Sequence, residues 1–354
     1  MSQNNCCSTS TTNNADCCNT VNTASTGCCT NTIMTASATL SYKDYFGAWK
    51  VRWGIGRMSY SVVPGLYALG TPNFTSPVLV SANYKLTFDT LRKNLTGLDC
   101  WILILDTKGV NVWCAAGKGT FGTEELINRI KQTKLTEIVA HRRLILPQLG
   151  ASGVNSNEVS RRSGFTVVFG PVRASDIKEF LSSGNKATRD MRTVKFTLWD
   201  RLVLTPMELV ASIKVSMIIF GVLFLLNLFA NRPFGALDLL LYITALLIGT
   251  VLTPALLPLI PGKAFAFKGW LLGAISTGYI LWTNGWLTSP FLLLGIGYML
   301  AMPAYSAFLA MNFTGASTYT SPSGVLKEMK IALPFIAVSL VVGIVLILIK
   351  TIMG

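Results

Sequence analysis

Trp101-Ile102-Leu103-Ile104-Leu105-Asp106, followed after a short gap by Asn111-Val112-Trp113-Cys114-Ala115-Ala116-Gly117-Lys118, is the stretch on which the fold of this chain turns. The first run is continuously apolar and short, as a strand covered on both faces reads. The second places one cysteine among small residues just beyond that strand. A flat macrocycle could lie against Ala115, Ala116 and Gly117, where no large side chain would hold it off the backbone, with Cys114 pointing at its centre.

The same alternation continues outward from this stretch. Val78-Leu79-Val80, Leu144-Ile145-Leu146 and Thr166-Val167-Val168-Phe169 are further strand-like runs, while Thr87 to Leu95 and Glu124 to Lys131 carry helical periodicity. Asn157 to Arg162 and Ser175 to Leu181 read as two more helices. Thr123 is the expected N-cap of the second helix, with Glu124 and Glu125 in a first turn where carboxylates favour the helix dipole. Strands alternating with helices predict an α/β, Rossmann-like domain over residues 41–200.

The rest of the chain has a different composition. Over 354 residues only 13% are charged and the mean hydropathy is +0.50, too apolar for an ordinary soluble protein. The surplus lies after Met207, in five stretches near 209–230, 236–260, 269–287, 291–311 and 331–349, each near the ~20 residues needed to cross a ~30 Å hydrocarbon layer. Residues 201–354 are therefore expected to form an all-α transmembrane domain of five helices, with softened boundaries at Pro254, Pro258 and Pro303. With the α/β domain inside, Lys263, Lys268, Lys327 and Lys330 fall on cytoplasmic loops and Arg232 and Lys350 outside, which puts the C-terminus outside.

A formal net charge of +14 is explained by that positive-inside bias and by anionic membrane lipid, since the basic residues are dispersed and accompany no nucleic-acid motif. Residues 1–40 form a Ser/Thr/Asn-rich segment without the periodicity to build a core, read as a disordered tail. It lacks the apolar core of a signal peptide, so the α/β domain is expected in the cytoplasm with reduced thiols. Within it Cys6-Cys7, Cys17-Cys18 and Cys28-Cys29 recur every eleven residues. Adjacent thiols suit soft ions such as Hg(II), though the spacing fits no usual zinc pattern and a solvated tail with incidental cysteines accounts for it equally well.

Two familiar motifs are set aside. Gly117-Lys118-Gly119-Thr120-Phe121-Gly122 satisfies G-x-G-x-x-G, with Glu137 about where a ribose-binding acid would stand, but a dinucleotide fingerprint follows its strand directly and this one does not. A P-loop would need glycine at Val112. The single histidine, His141, flanked by Arg142 and Arg143, reads as structural or surface-exposed, and Cys100, beside the strand, as a buried core residue. A membrane metal-handling or transport protein with a thiol-rich tail is the alternative from another class. It would require ionisable residues inside the spans, where Lys214 and Asp238 stand near span ends.

The segment from Asn111 to Lys118, and much of Trp53 to Leu181 around it, resembles the HgcA family of mercury-methylating corrinoid proteins. More distantly it is similar to the corrin-binding domain of the corrinoid iron–sulfur protein of acetyl-CoA synthesis. In the first family this segment is called the cap helix. The resemblance implies that Cys114 is the lower axial ligand of the cobalt in a base-off cobalamin or related corrinoid, positioned by Asn111, Val112, Trp113, Ala115, Ala116, Gly117 and Lys118. It also implies corrin-facing loops at Val80 to Lys85, Leu146 to Ala151 and Gly170 to Ala174, with Asn83, Gln148, Gly150, Gly170 and Arg173 as contacts. A further polar loop of the family's type runs from Asn312 to Ser321. The implied activity is methyl transfer to Hg(II), forming methylmercury, at the inner membrane. The methyl group would come from a methyltetrahydrofolate-linked donor, and the electrons from the ferredoxin-like 4Fe-4S protein HgcB.

Overall fold

A computed structural model describes residues 33–316 and 322–353. The six tail cysteines and residues 317–321 of the polar loop lie outside them. Six strands, β1 (Met34–Ala36), β2 (Gly65–Leu69), β3 (Val78–Ala82), β4 (Cys100–Leu105), β5 (Arg143–Leu146) and β6 (Thr166–Phe169), form one sheet in the order β1-β2-β4-β3-β5-β6. β4, β3, β5 and β6 run parallel. β2 joins β4 antiparallel, and β1 lies along β2.

The period-two geometry of β4 sorts its residues onto two cores. Trp101, Leu103 and Leu105 enter one with Leu126, Ile127 and Phe121; Cys100, Ile102 and Ile104 enter the other with Phe88, Leu91 and Phe180. Every residue of β3 and β4 is buried, and each large apolar side chain so buried stabilises the fold by about 1.5–3 kcal/mol. Seven helices cover the sheet: α1 (Tyr42–Arg52), α2 (Lys85–Asn94), α3 (Val112–Lys118), α4 (Thr123–Gln132), α5 (Leu135–Ile138), α6 (Ser156–Ser163) and α7 (Ile177–Ser182).

Three expectations change in detail. The strand β1 lies inside the stretch assigned by composition to the tail, because three residues paired along β2 need no periodicity of their own. Neither β2 nor α1 was foreseen. Gly122, not Thr123, precedes α4, and the Thr123 hydroxyl instead accepts the Asn155 N–H at 2.9 Å.

α1 is held by charge more than by burial. Asp44 accepts from Lys85 Nζ at 2.5 Å and from Arg92 at 2.8 Å, and Asp89 accepts from both bases. Burial acts to raise the Asp44 carboxyl pKa, but the Lys85 ammonium, the Ser41 N–H and hydroxyl and the Arg92 guanidinium together hold it well below the usual carboxylate range.

Beyond the sheet come α8 (Leu198–Leu202), α9 (Thr205–Leu226), α10 (Ala236–Leu247), α11 (Thr253–Leu256), α12 (Phe265–Thr283), α13 (Leu292–Asn312) and α14 (Pro322–Met353). A wide-turned π stretch, Ile248–Leu252, joins α10 to α11. Among the described residues four helical spans are long and apolar enough to cross a membrane: Leu198–Leu226, Ala236–Leu256, Leu292–Gly315 and Ser323–Met353. The expected third crossing forms α12, a helix of 19 residues, which Lys268 and its Ser, Thr and Tyr residues make less apolar than the other four. Lys268 does not stand on a loop; it is buried in α12 and donates to the Leu257 carbonyl. Lys327 and Lys330 likewise lie within α14.

Small residues set the helix packing, as they do where lipid gives no hydrophobic drive. A Cβ on Gly269 would come within 2.7 Å of the Ser306 carbonyl, and one on Gly343 within 2.7 Å of the Gly297 carbonyl. α13 is thus clasped closely by both α12 and α14. Asp238 caps the start of α10 and accepts from Tyr298 Oη at 2.5 Å and from Arg232 at 3.2 Å.

Candidate functional site

Asn111 caps α3, its Oδ1 accepting the Cys114 N–H at 2.9 Å, and Gly119 ends the helix in the left-handed region at φ 77°. Within these seven residues the pattern of exposure is sharp. Val112, Ala115 and Ala116 are buried, whereas Trp113, Cys114, Gly117 and Lys118 form the open face. Of the three small residues Ala115, Ala116 and Gly117, against which a macrocycle was expected to lie, only Gly117 is exposed. Gly153 packs directly under the buried side of this helix: a Cβ there would fall 3.0 Å from Ala116 Cα and 2.2 Å from the Phe121 carbonyl. The two alanines let α3 sink onto the core and so fix how far Cys114 stands out.

Gly117 lies one helical turn beyond Cys114, and a Cβ there would meet nothing within 4 Å. The glycine run is also explained. Gly119 terminates α3 and Gly122 precedes α4, with a Cβ on Gly122 meeting the Gly119 carbonyl at 2.7 Å. It is a helix-to-helix turn and presents no strand-end phosphate cradle.

The link from β4 to α3 is wired by Asn83. Its Oδ1 accepts from Thr107 N–H at 3.1 Å, Thr107 Oγ1 at 2.8 Å and Gly109 N–H at 3.0 Å, and its Nδ2 donates to Asp106 at 3.3 Å. Asn83 is buried, and the bonds to its amide oxygen position the loop. Burial acts to raise the Asp106 pKa, but hydrogen bonds from the Lys108 ammonium and N–H outweigh it and hold the carboxyl below its usual range.

A cleft of about 410 Å³ opens beside α3. The chain leaves β3 for β4 on one side and returns to β5 on the other, so β3 and β5 flank the reversal point of the parallel strands. Open α/β sheets bind ligands outside the carboxyl ends of their strands at such a point. The lining comes from Ser81 in β3 and Tyr84 after it, Pro147 and Leu149 after β5, Gly170, Pro171 and Val172 after β6, the α3 cap Asn111, and Val112 and Trp113 of α3. The three expected loops and α3 are thus brought together at one edge.

The individual residues divide. Gly170 lines the cleft, and a Cβ there would press Ile145 Cγ2 at 3.2 Å. Gly150 is buried against Phe121, where a Cβ would come within 2.5 Å of the ring. Gln148 Oε1 is buried and has no hydrogen-bond partner among the described residues. Arg173 does not line the cleft; its guanidinium pairs with Asp200 at 2.7 Å, tying the β6 loop to α8. Tyr84 stands in the expected Val80 to Lys85 loop, whereas Arg52 is a cleft wall that the sequence did not point to. Arg52 ends α1, whose start carries a Ser41/Asp44 capping box, a signal visible in the sequence.

The remaining candidates are structural. His141 uses both ring nitrogens, one accepting the Arg143 N–H at 3.2 Å and the other bonded to the Ser76 carbonyl at 2.9 Å. Cys100 is buried, and burial, with Asp99 nearby, pushes its thiol pKa up to about 12. No group of three or more His, Cys, Asp or Glu side chains suited to a metal ion occurs among the described residues.

A planar macrocycle with amide side arms suits this arrangement. The face of α3 at Cys114 and Gly117 is open and adjoins the cleft without lining it, and Gln148 Oε1 is an unpartnered acceptor buried in the loop after β5.

Comparison with known proteins converges on the same stretch. The family model for the CO dehydrogenase/acetyl-CoA synthase delta subunit, CdhD, matches residues 56–181. The acetyl-CoA decarbonylase/synthase complex subunit gamma of Methanopyrus kandleri is 35% identical over 127 residues, which are 35% of this chain and 27% of that protein. Its counterpart in Methanocaldococcus jannaschii is 34% identical over 127 residues, 35% of this chain and 26% of that protein, and that of Archaeoglobus fulgidus 33% identical over 127 residues, again 27% of its length. The chain thus spans about a quarter of the length of these relatives. The similarity covers β2 to α7, with α3 and all the cleft lining but Arg52, and stops before the long apolar helices.

Proposed function

We propose that this chain is a corrinoid-dependent methyltransferase anchored in the cytoplasmic membrane, with Cys114 as the axial ligand of cobalt and Hg(II) as methyl acceptor. The observation that carries this reading is the open face of α3, where Cys114 stands over a glycine whose missing side chain leaves room for a flat ring. The similarity of residues 56–181 to acetyl-CoA synthase subunits supports the corrinoid class.

When bound, a base-off cobalamin or related corrinoid supplies a cobalt centre that accepts and gives up a methyl group. Cys114 would offer the cobalt a sulfur donor, Asn111 fixes the backbone from which it projects, and Asn83 holds the loop before it. An anionic sulfur donor would tune the cobalt towards giving its methyl group to a soft electrophile. Gln148 and the loops after β3, β5 and β6 would hold the ring's periphery, and Trp113 would shield one edge from water.

Cys6, Cys7, Cys17, Cys18, Cys28 and Cys29 would collect Hg(II) near the site, a tether acting through effective concentration. HgcB as a 4Fe-4S electron donor and a methyltetrahydrofolate-linked methyl donor complete the reaction. Five crossings, α12 included, place the sheet domain in the cytoplasm and the C-terminus outside.

The test is reconstitution of full-length protein in vesicles with cobalamin, HgcB, isotopically labelled methyltetrahydrofolate and its transferase, and Hg(II). Labelled methylmercury is the expected product. Cobalamin binding without methylmercury would refute the mercury reading and leave the corrinoid one standing; no cobalamin binding would refute both.

A further inference from the structure

We propose that the groove between α12, α13 and α14 is a binding site for one anionic phospholipid, its acyl chain on the alanine floor and its phosphate at Lys263 and Lys327. The proposal rests on the membrane reading of these helices and is independent of the corrinoid chemistry. The groove encloses about 940 Å³, near the upper end of the ~300–1,000 Å³ typical of small-molecule pockets.

The groove follows from the helix packing. Glycines bring α12 and α14 close to α13 on either side, and between them Ala304 and Ala307 form a floor where larger residues would fill the gap. Phe267, Trp270 and Phe335 are exposed walls. Tryptophan with apolar neighbours is typical of the depth at which a lipid passes from acyl chain to headgroup.

Charge at the mouth selects the occupant. Lys263 and Lys327 line the groove, are exposed, and have no ion pair among the described residues. Glu328 also lines it, but its carboxylate accepts the Ala266 N–H at 2.7 Å and is engaged in capping α12. The mouth is therefore net cationic, as basic pockets for anionic headgroups between membrane helices are. A second copy docked by two-fold symmetry would oppose the same lysines to one another. A neutral isoprenoid would leave both charges unanswered.

The test uses full-length protein in detergent micelles, titrated with phosphatidylglycerol or phosphatidylcholine and read by native mass spectrometry. Phosphatidylglycerol should be retained in preference. The double substitution Lys263→Gln/Lys327→Gln should cut its retention roughly 30-fold, the value for two basic residues near an anionic surface, and leave phosphatidylcholine unchanged. Lys131→Gln/Lys134→Gln, exposed on the sheet domain, should change neither. Equal retention of the two lipids, or phosphatidylglycerol retained by the Lys263/Lys327 variant, would overturn the proposal, as would a dimer that forms only without lipid. Alkali extraction of the protein from vesicles reports separately on the membrane reading: extracted protein refutes that reading, whereas inserted protein without lipid preference refutes the site alone.

Discussion

Gly117 separates the demands of folding from those of binding. Its position is helical and open, so Gly117→Ala should stabilise α3 by about 0.5–1 kcal/mol, measured by denaturant unfolding. Gly117→Leu should leave stability near that of the wild type yet weaken cobalamin binding at least about tenfold, because a bulky side chain projects where the ring would lie, a cost of about 1.4 kcal/mol or more. Equal affinity in the Leu variant would show that the ring does not use this face. Asn83 makes the opposite prediction. Asn83→Ala strips three donors of one buried acceptor and should cost about 1–3 kcal/mol per group left unsatisfied, with raised hydrogen exchange in residues 106–111.

At the scale of elements, α1 reports the charge network that docks it. Asp44 has a folded-state pKa held below its unfolded value of 3.8, so its contribution is fully present above that value and is lost as pH falls through the folded pKa. Amide exchange in Tyr42 to Arg52 should therefore rise below about pH 4, before the sheet unfolds. In Asp44→Asn it should be raised already at neutral pH and lose most of that acid dependence. Unchanged exchange in the variant would mean that apolar contacts alone hold α1. What was legible in the sequence follows the same physics. β3 to β6 and α2, α4, α6 and α7 announce themselves through short apolar runs or helical periodicity, α3 is read as a helix only through the family resemblance, and the four-residue α5 gives no sign. β1 and β2 give none either, since Met34–Ala36 is three residues long and Gly65–Leu69 includes glycine. α1 buries only Val51, so no stripe marks it, and its capping box was the one local sign. Cys114 was legible as a position, but the division of its neighbours into a buried and an open face required the packing of Gly153 and Phe121.

For the whole molecule, two of the contacts where the sheet domain meets the helices differ in strength. The Arg173–Asp200 pair is half-exposed, and Arg173→Ala should change stability by no more than about 1 kcal/mol. Phe196, by contrast, is buried with Leu257, Phe265 and Phe313, and Phe196→Ala should cost about 3–5 kcal/mol at that junction, seen as new proteolysis between Ser183 and Leu204. Arg201, also buried, donates to the Pro254 carbonyl and reinforces the same joint. Crossing number is the other whole-molecule question. α12 has the length to cross but lower apolarity than its neighbours, and a reporter fused after Gly354 that is active only outside the cytoplasm should be active; activity of a cytoplasm-only reporter there would show an even number of crossings. The most direct measurement is the visible spectrum of full-length protein carrying cobalamin, wild type against Cys114→Ala, with methylmercury formation followed in the same samples. Cys114 as cobalt ligand predicts that the variant keeps bound cobalamin, loses the spectral signature of thiolate ligation and loses most of its methyl transfer. A Cys114→Ala protein with an unchanged spectrum and wild-type methylation would contradict it.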